Sequence, residues 1–193
     1  DKVFYSYAGT MLRKIPQLQS FYLGGEDGSM RLVTRSSDPD LLDHEVLIVK
    51  NGHQYFHHEL YNQQGQQVSR YDEDAGTYNL HTRPWFTSTK GSSDIKWTQP
   101  YLFASSKQFV MTSSLRFKGA DGNELVFATN ISLNELSSYL DHIKIGQTGS
   151  AMIVDSQGRI MAGRNLDQKA RAANWNPDNM RIDPKDEPVF ALG

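Results

Sequence analysis

Apolar residues recur at spacings of three and four through residues 1–18, at Val3, Phe4, Tyr7, Met11, Leu12, Ile15 and Leu18. That period predicts a helix with one apolar face. Pro16 predicts its end by about Ile15, because the residue before a proline is pushed out of helical conformation. The period then shortens. Residues 20–25 and 30–35 are apolar-rich runs joined by Asp27-Gly28, which predicts a hairpin. Residues 36–44, with Asp38-Pro39-Asp40, read as a loop. Residues 46–50 and 54–60 read as strands around an Asn51-Gly52 turn, and a further strand over 67–71 follows the turn at Asn62-Gln63-Gln64-Gly65. Residues 71–77 carry three acids and a glycine and are expected to be a loop.

Pro84 sits where a short helix can begin, with Thr82 as its expected cap and Arg83 at its entrance. Strands are expected over 95–103, 109–117 and 124–131, the last two joined by a turn at residues 119–122. Ser132-Leu-Asn-Glu135 fits the capping-box pattern at the start of a helix. Its apolar face is Leu133, Leu136, Tyr139, Leu140 and Ile143. After Gly146 and Gly149 the pattern restarts. A short apolar run to Asp155, a turn at Gly158 and a second run from Arg159 repeat the device seen at residues 21–33. This echo predicts two similar modules in series, the second too short to bury a core of its own.

Composition narrows the function classes. The formal net charge is −2, and the basic stretches at 13–14, 31–35 and 159–171 are diluted by neighbouring acids. No broad positive field exists to attract nucleic acid or anionic lipid. The chain has no cysteine, which removes disulfides, thiolate metal sites and cysteine nucleophiles. No apolar run approaches the roughly 20 residues that span a bilayer. The chain is expected to be an excised piece of a longer protein.

The densest chemistry lies between Tyr78 and Tyr101, where Y-N-L-H-T-R-P-W-F and W-T-Q-P-Y place Arg83 among Tyr78, Trp85, Phe86, Trp97 and Tyr101. A guanidinium grips a carboxylate with two parallel hydrogen bonds, and aromatic walls exclude the water that would weaken the grip. The pattern points to a pocket for a small anionic or zwitterionic molecule. The plainer reading pairs Arg83 with Asp72 or Asp74 on the surface and makes each aromatic a core residue. His57 and His58 are adjacent on an expected strand, so their rings face opposite ways and cannot share one metal; both are expected at the surface. No hydrolase, zincin, phosphate-loop or dinucleotide motif is present.

These elements together resemble the double Cache (dCache) sensor domains, the extracytoplasmic PAS-like ligand-binding regions of bacterial transmembrane receptors. The resemblance is carried by the strand–Asp-Gly–strand after a helix, by Y-x4-R-P-W-F and W-T-x-P-Y, and by T-N-I-S-L-N-E-L-S-S-Y-L. It continues through K-I-G-Q-T-G-S-A-M-I-V-D-S-Q-G-R-I and so covers almost the whole chain. It implies an α/β (α+β) fold of antiparallel PAS-like sheets flanked by helices. A shortened N-terminal signalling helix would occupy 1–19, a membrane-distal Cache domain 20–145, and the start of an incomplete membrane-proximal one 146–193. In the amino-acid-binding branch, Tyr78, Arg83, Trp85 and Phe86 fall on ligand positions, the arginine holding the carboxylate. Tyr101 falls near a further aromatic contact. The aspartate that receives the ligand's ammonium is matched here by Asn130, which does not balance a cation, so a carboxylate or other small polar ligand is implied. W-T-Q-P-Y-L-F is closer to cyclase- and kinase-linked relatives.

The reading is a non-enzymatic periplasmic sensor without cofactor or metal, homodimeric in the full receptor and tied to the inner membrane through flanking spans. Its expected ligand-binding residues are Tyr78, Arg83, Trp85, Phe86, Trp97, Tyr101 and Asn130. The output module would be a histidine kinase, a diguanylate or adenylate cyclase, or a chemotaxis module. The rivals are a hydrolase assembled from scattered acids and histidines, and a ligand-free dimerisation module.

Overall fold

In the computed structural model, which describes residues 2–103, 108–146, 149–174 and 176–181, the N-terminal period becomes α1 (Lys2–Lys14). Strands β1 (Leu18–Gly25), β2 (Met30–Arg35), β3 (Leu42–Lys50), β4 (His53–Tyr61) and β5 (Gln67–Asp74) follow as an antiparallel meander. A 3-10 turn (Leu80–Thr82) and the short helix α2 (Pro84–Thr87) lead to β6 (Lys96–Trp97) and β7 (Tyr101–Leu102). The long strands β8 (Phe109–Lys118) and β9 (Glu124–Ser132) return to the sheet, whose order is β5-β4-β3-β2-β1-β9-β8-β6. The hairpin signals thus assemble one antiparallel sheet, as the sequence predicts. The chain continues through α3 (Leu133–Asp141), the small hairpin β10 (Ile153–Val154) with β11 (Ile160–Ala162), and α4 (Leu166–Ala172).

The chain divides into two compact units, residues 1–98 with 112–131 and residues 99–111 with 132–193. In the first, α1 lays Ala8 and Leu12 on Phe21, Val33 and Leu42, with Phe4, Met11 and Phe127 around them. Arg35 holds the C-terminal end of the helix: its Nε donates to the Leu18 carbonyl at 2.9 Å and its Nη2 to the carbonyls of Leu12 and Ile15. A cation there also complements the negative end of the helix dipole. In the second unit, Phe109 and Leu133 pack with Ile160, Leu166, Ala170, Ala173 and Met180. Ser132 caps α3 as expected, its Oγ accepting the Glu135 amide at 3.2 Å. Residues 182–193 of the expected second module lie outside the described residues. None of the described helices is long and apolar enough to cross a membrane.

Four local expectations are corrected. β3 begins at Leu42, so Asp43 and His44 lie in a strand and not in a loop. β5 runs on to Asp74 through the acids of the expected loop, because Tyr71 stacks on His58 at 4.4 Å and Asp72 pairs with Lys50 and His57. The expected strand over 95–103 is broken into β6 and β7, with Pro100, which lacks a backbone donor, in the gap. The cap of α2 is Arg83, not Thr82, and it makes no side-chain capping bond.

Candidate functional site

Strand register assigns the two faces of the sheet. Ser20, Tyr22 and Gly24 of β1 stand opposite Thr34, Leu32 and Met30 of β2 and opposite Asn130, Ala128 and Val126 of β9. Residues 21 and 33 point the other way, under α1. The segment 75–95 crosses the face that α1 leaves open. Trp85 and Phe86 of α2 are buried there at right angles to one another, with ring centroids 5.5 Å apart. Trp85 stacks on Tyr22 at 5.2 Å, and it seats over Gly24, where an added Cβ would stand 2.7 Å from the indole. Phe86 is held by Arg116, whose guanidinium lies 4.9 Å from the ring centroid and donates to the Phe86 carbonyl at 3.3 Å. Arg116 is itself paired with Glu26 and Glu124.

Arg83 enters α2 half-buried, with its guanidinium carbon 5.6 Å from the centroid of the Tyr78 ring. Tyr78 in turn packs edge-on against Phe56 at 5.0 Å and donates its hydroxyl to the Met30 sulfur at 3.1 Å. The surface pairing of Arg83 with Asp72 or Asp74 is not found among the described residues. Asp72 is engaged by Lys50 and His57, and Asp74 accepts the Gly76 amide.

Asn130 is fully buried, its Oδ1 accepting from the Thr112 hydroxyl at 2.6 Å and its Nδ2 donating to the Tyr22 hydroxyl. The structure therefore brings Asn130 and Trp85 into one arrangement through Tyr22, a residue the sequence reading missed. Its only sequence signal is a tyrosine inside the first hairpin. Trp97 does not join this group. It pairs with Ser113, whose side chain faces away from the Thr112–Asn130 side, and it is 53% exposed. Its place at the end of a two-residue outer strand accounts for that exposure. Tyr101 belongs to the second compact unit, paired with Val110 at the start of β8.

His58 is corrected from surface to interior. It is buried on the open face, its Nδ1 2.8 Å from Asp43 Oδ2, beside a buried Glu45. Burial, and then the charge of Asp43, pushes the Glu45 carboxyl up to about 8. Burial alone would lower His58, but its bond to Asp43 and the charges of Asp43, Glu45 and Glu73 outweigh that and raise it. On the helix-bearing face, a cavity of about 490 Å³ is lined by Tyr5, Arg13, His44, Glu59 and Tyr61 among others. Tyr5 stacks on His44 there at 4.7 Å, Tyr61 lies tilted against the same imidazole at 4.4 Å, and burial pulls His44 down. Its mixed charges favour neither an anion nor a cation. The convergent arginine and aromatics lie on the other face.

No family model matches the chain. It is 30% identical over 89 residues to the methyl-accepting chemotaxis protein McpB of Bacillus subtilis, covering 46% of this chain and 13% of that protein. It is 27% identical over 116 residues to the methyl-accepting chemotaxis protein PscA of Pseudomonas syringae pv. tomato, covering 60% of this chain and 18% of that protein. The chain thus spans a small part of the curated relatives it matches. Among solved structures, the sensory domain of the Campylobacter jejuni chemoreceptor Tlp3 superposes with a TM-score of 0.50 at 19% identity, over 89% of this chain and 52% of that one. The ligand-binding domain of Tlp3 in complex with L-norvaline gives a TM-score of 0.50 at 19% identity, over 89% and 50%. By sequence the chain is similar to methyl-accepting chemotaxis proteins, and by fold to ligand-binding domains of bacterial chemoreceptors, as the double Cache resemblance implies.

Proposed function

We propose that this chain is the extracytoplasmic sensor region of a transmembrane receptor, and that its first compact unit binds a small carboxylate-bearing ligand at Arg83. One observation carries the ligand class: a half-buried guanidinium over the Tyr78 ring, with no ion pair among the described residues, at the entrance of a helix whose Trp85 and Phe86 are fixed from below. Burying such a group is costly unless an acceptor reaches it, and a carboxylate supplies two acceptors in matching geometry. Tyr78 is the aromatic wall open to the remainder of the ligand, and Trp85 and Tyr22, both buried, are the walls behind it. Phe86 and Asn130 hold those walls in place.

Binding would favour one of two packings of the sheet against α1, and a few kcal/mol of differential affinity is enough to shift a two-state receptor. The sequence likeness to methyl-accepting chemotaxis proteins favours a chemotaxis output over a kinase or cyclase. A homodimer joined to the inner membrane by flanking spans is the assembly this reading requires. A thermal-shift screen tests it with mono- and dicarboxylates, α-amino acids, amines and sugars. A ligand at about 100 times its dissociation constant stabilises by about 2.7 kcal/mol. Carboxylates should shift the melting temperature and amines and sugars should not. A hit confined to uncharged sugars would overturn the ligand class.

A further inference from the structure

Neighbouring strands gather an acidic and imidazole cluster on the open face of the sheet. Asp43 and Glu45 are two apart on β3 and so share a face, and His58 of β4 stands directly opposite Glu45. We propose that Asp43, Glu45 and His58 form a binding site for a divalent transition-metal ion, zinc above all, with Glu73 of β5 at its mouth.

One donor atom from each of the three lies within 4.8 Å of the others. An ion held at about 2.0–2.2 Å by each donor brings them to roughly 3–4 Å from one another. All three residues are deeply buried, at 8%, 3% and 5% exposed. Asp43 has His58 as its partner, but no lysine or arginine reaches either carboxyl among the described residues, so Glu45 ionises only against a burial cost that a bound cation would offset.

A second observation points to a missing partner. Asp43 Oδ1 and His58 Nε2 are both buried without a hydrogen-bond partner. Orphaned buried polar atoms are rare in folded proteins, and here two belong to residues of one cluster. The ring of His58 is already oriented. Its plane is stacked 7° from that of Tyr71, and its Nδ1 lies 2.8 Å from Asp43 Oδ2, so an ion held by these two atoms replaces the proton they share. Glu73 Oε2 lies 3.6 Å from His58 Nε2, placed to take its proton when an ion is held at Nδ1, and the Glu73 side chain is 66% exposed, which opens a way in. An imidazole with carboxylate oxygens suits zinc and its first-row neighbours better than calcium or magnesium, which take oxygen alone. His57, one residue away, points to the other face, where it pairs with Asp72 at 2.6 Å in a half-exposed position.

The test uses the untagged chain, stripped with a chelator and titrated with ZnCl2 by calorimetry while the melting temperature is followed. Zinc should bind at a single site and raise the melting temperature, and the chelator should reverse the rise. Glu45→Gln preserves volume and removes a carboxylate donor, so it should fold and yet weaken zinc binding on the order of tenfold or more. His58→Ala should weaken it further. His57→Ala and Arg83→Ala should leave it unchanged, which separates this site from the carboxylate pocket. Absence of saturable zinc binding would overturn the proposal, as would equal affinity in wild type and a folded Glu45→Gln. An ethylammonium titration that binds where zinc does not, and is lost in Glu45→Gln, would equally overturn it in favour of an organic cation.

Discussion

The ring of Tyr22 lies stacked on the indole of Trp85, centroids 5.2 Å apart and planes 21° from parallel. The position of that ring is set from behind: the Tyr22 hydroxyl takes a hydrogen bond from Asn130 Nδ2, and Asn130 Oδ1 is held by Thr112. The aromatic wall of the proposed pocket is therefore fixed to β8 and β9 through buried polar contacts. Tyr22→Phe tests this. It keeps the stack but leaves a buried amide with one donor unmatched, at a cost of about 1–3 kcal/mol. Chemical denaturation should show that loss. An unchanged midpoint would mean that the Asn130–Tyr22 bond contributes nothing net.

Gly24 lets Trp85 settle on the sheet. A Cβ at Gly24 would meet the indole at 2.7 Å, and the indole is buried beside Phe86, so it has nowhere cheap to move. Gly24→Ala should therefore cost about 1–3 kcal/mol by overpacking, despite adding a residue with better conformational entropy. Tryptophan fluorescence should shift as the indole is displaced, and ligand binding should weaken with it. A stabilised Gly24→Ala would show that the indole moves without penalty.

Arg83 carries the proposed ligand class, and two substitutions separate charge from shape. Arg83→Ala should lose about 1.5–3 kcal/mol of affinity for a carboxylate identified in the screen, as a charge-assisted pair is removed. Arg83→Lys should recover only part of it, because an ammonium cannot form the planar two-bond fork. Calorimetry on both variants is the measurement, with melting temperatures as a control for folding. Full recovery by lysine would point to long-range attraction and not to a bidentate grip.

Asn130 occupies the position matched to a ligand-binding aspartate, yet its amide is spent on Tyr22 and Thr112. Asn130→Asp can keep both contacts if the Tyr22 hydroxyl turns to donate, and it adds a negative charge at a fully buried position. The variant should shift preference toward ligands that carry an ammonium group beside their carboxylate. Competition between a simple carboxylate and the corresponding α-amino acid reads this directly. An unaltered preference would place the ligand beyond the reach of Asn130.

The sheet was legible because its signals are local. Asp27-Gly28 and Asn51-Gly52 each fix a turn within four residues, and Ser132 caps its helix within three. Of the candidate site, the part the sequence brings together is where its residues are nearly consecutive, as at Arg83, Trp85 and Phe86. Tyr22, Arg116 and the Asp43–Glu45–His58 cluster are brought together by pairing between strands, which no local pattern encodes. Trp97 misled for the converse reason. It is near Arg83 in sequence, but one residue of strand register decides its face, and a two-residue strand with a break after it gives no periodicity from which to read that register.

The last prediction concerns the second compact unit, where Arg159 organises the hairpin of β10 and β11. Its Nε donates to Asp155 Oδ2 at 2.6 Å and its Nη1 to Asp178 Oδ1 at 2.8 Å, while Nη2 reaches Gln99. Asp155 also accepts the amides of Gln157 and Arg159, each at 2.9 Å. The Arg159 amide, followed by the guanidinium and the Gln157 amide, holds the Asp155 carboxyl below its ordinary 3.8. A carboxyl whose pKa is lowered on folding stabilises the folded form above its unfolded value and loses that contribution as the pH falls through the folded one. Asp155→Asn should therefore melt below wild type at neutral pH, and the gap should close as the pH is brought under about 3.8. The variant also turns an acceptor for Arg159 into a donor that repels it, so part of the gap should persist. Melting curves from pH 7 down to pH 3 measure both parts, and a gap independent of pH would show that the Asp155 charge plays no role in holding the turn.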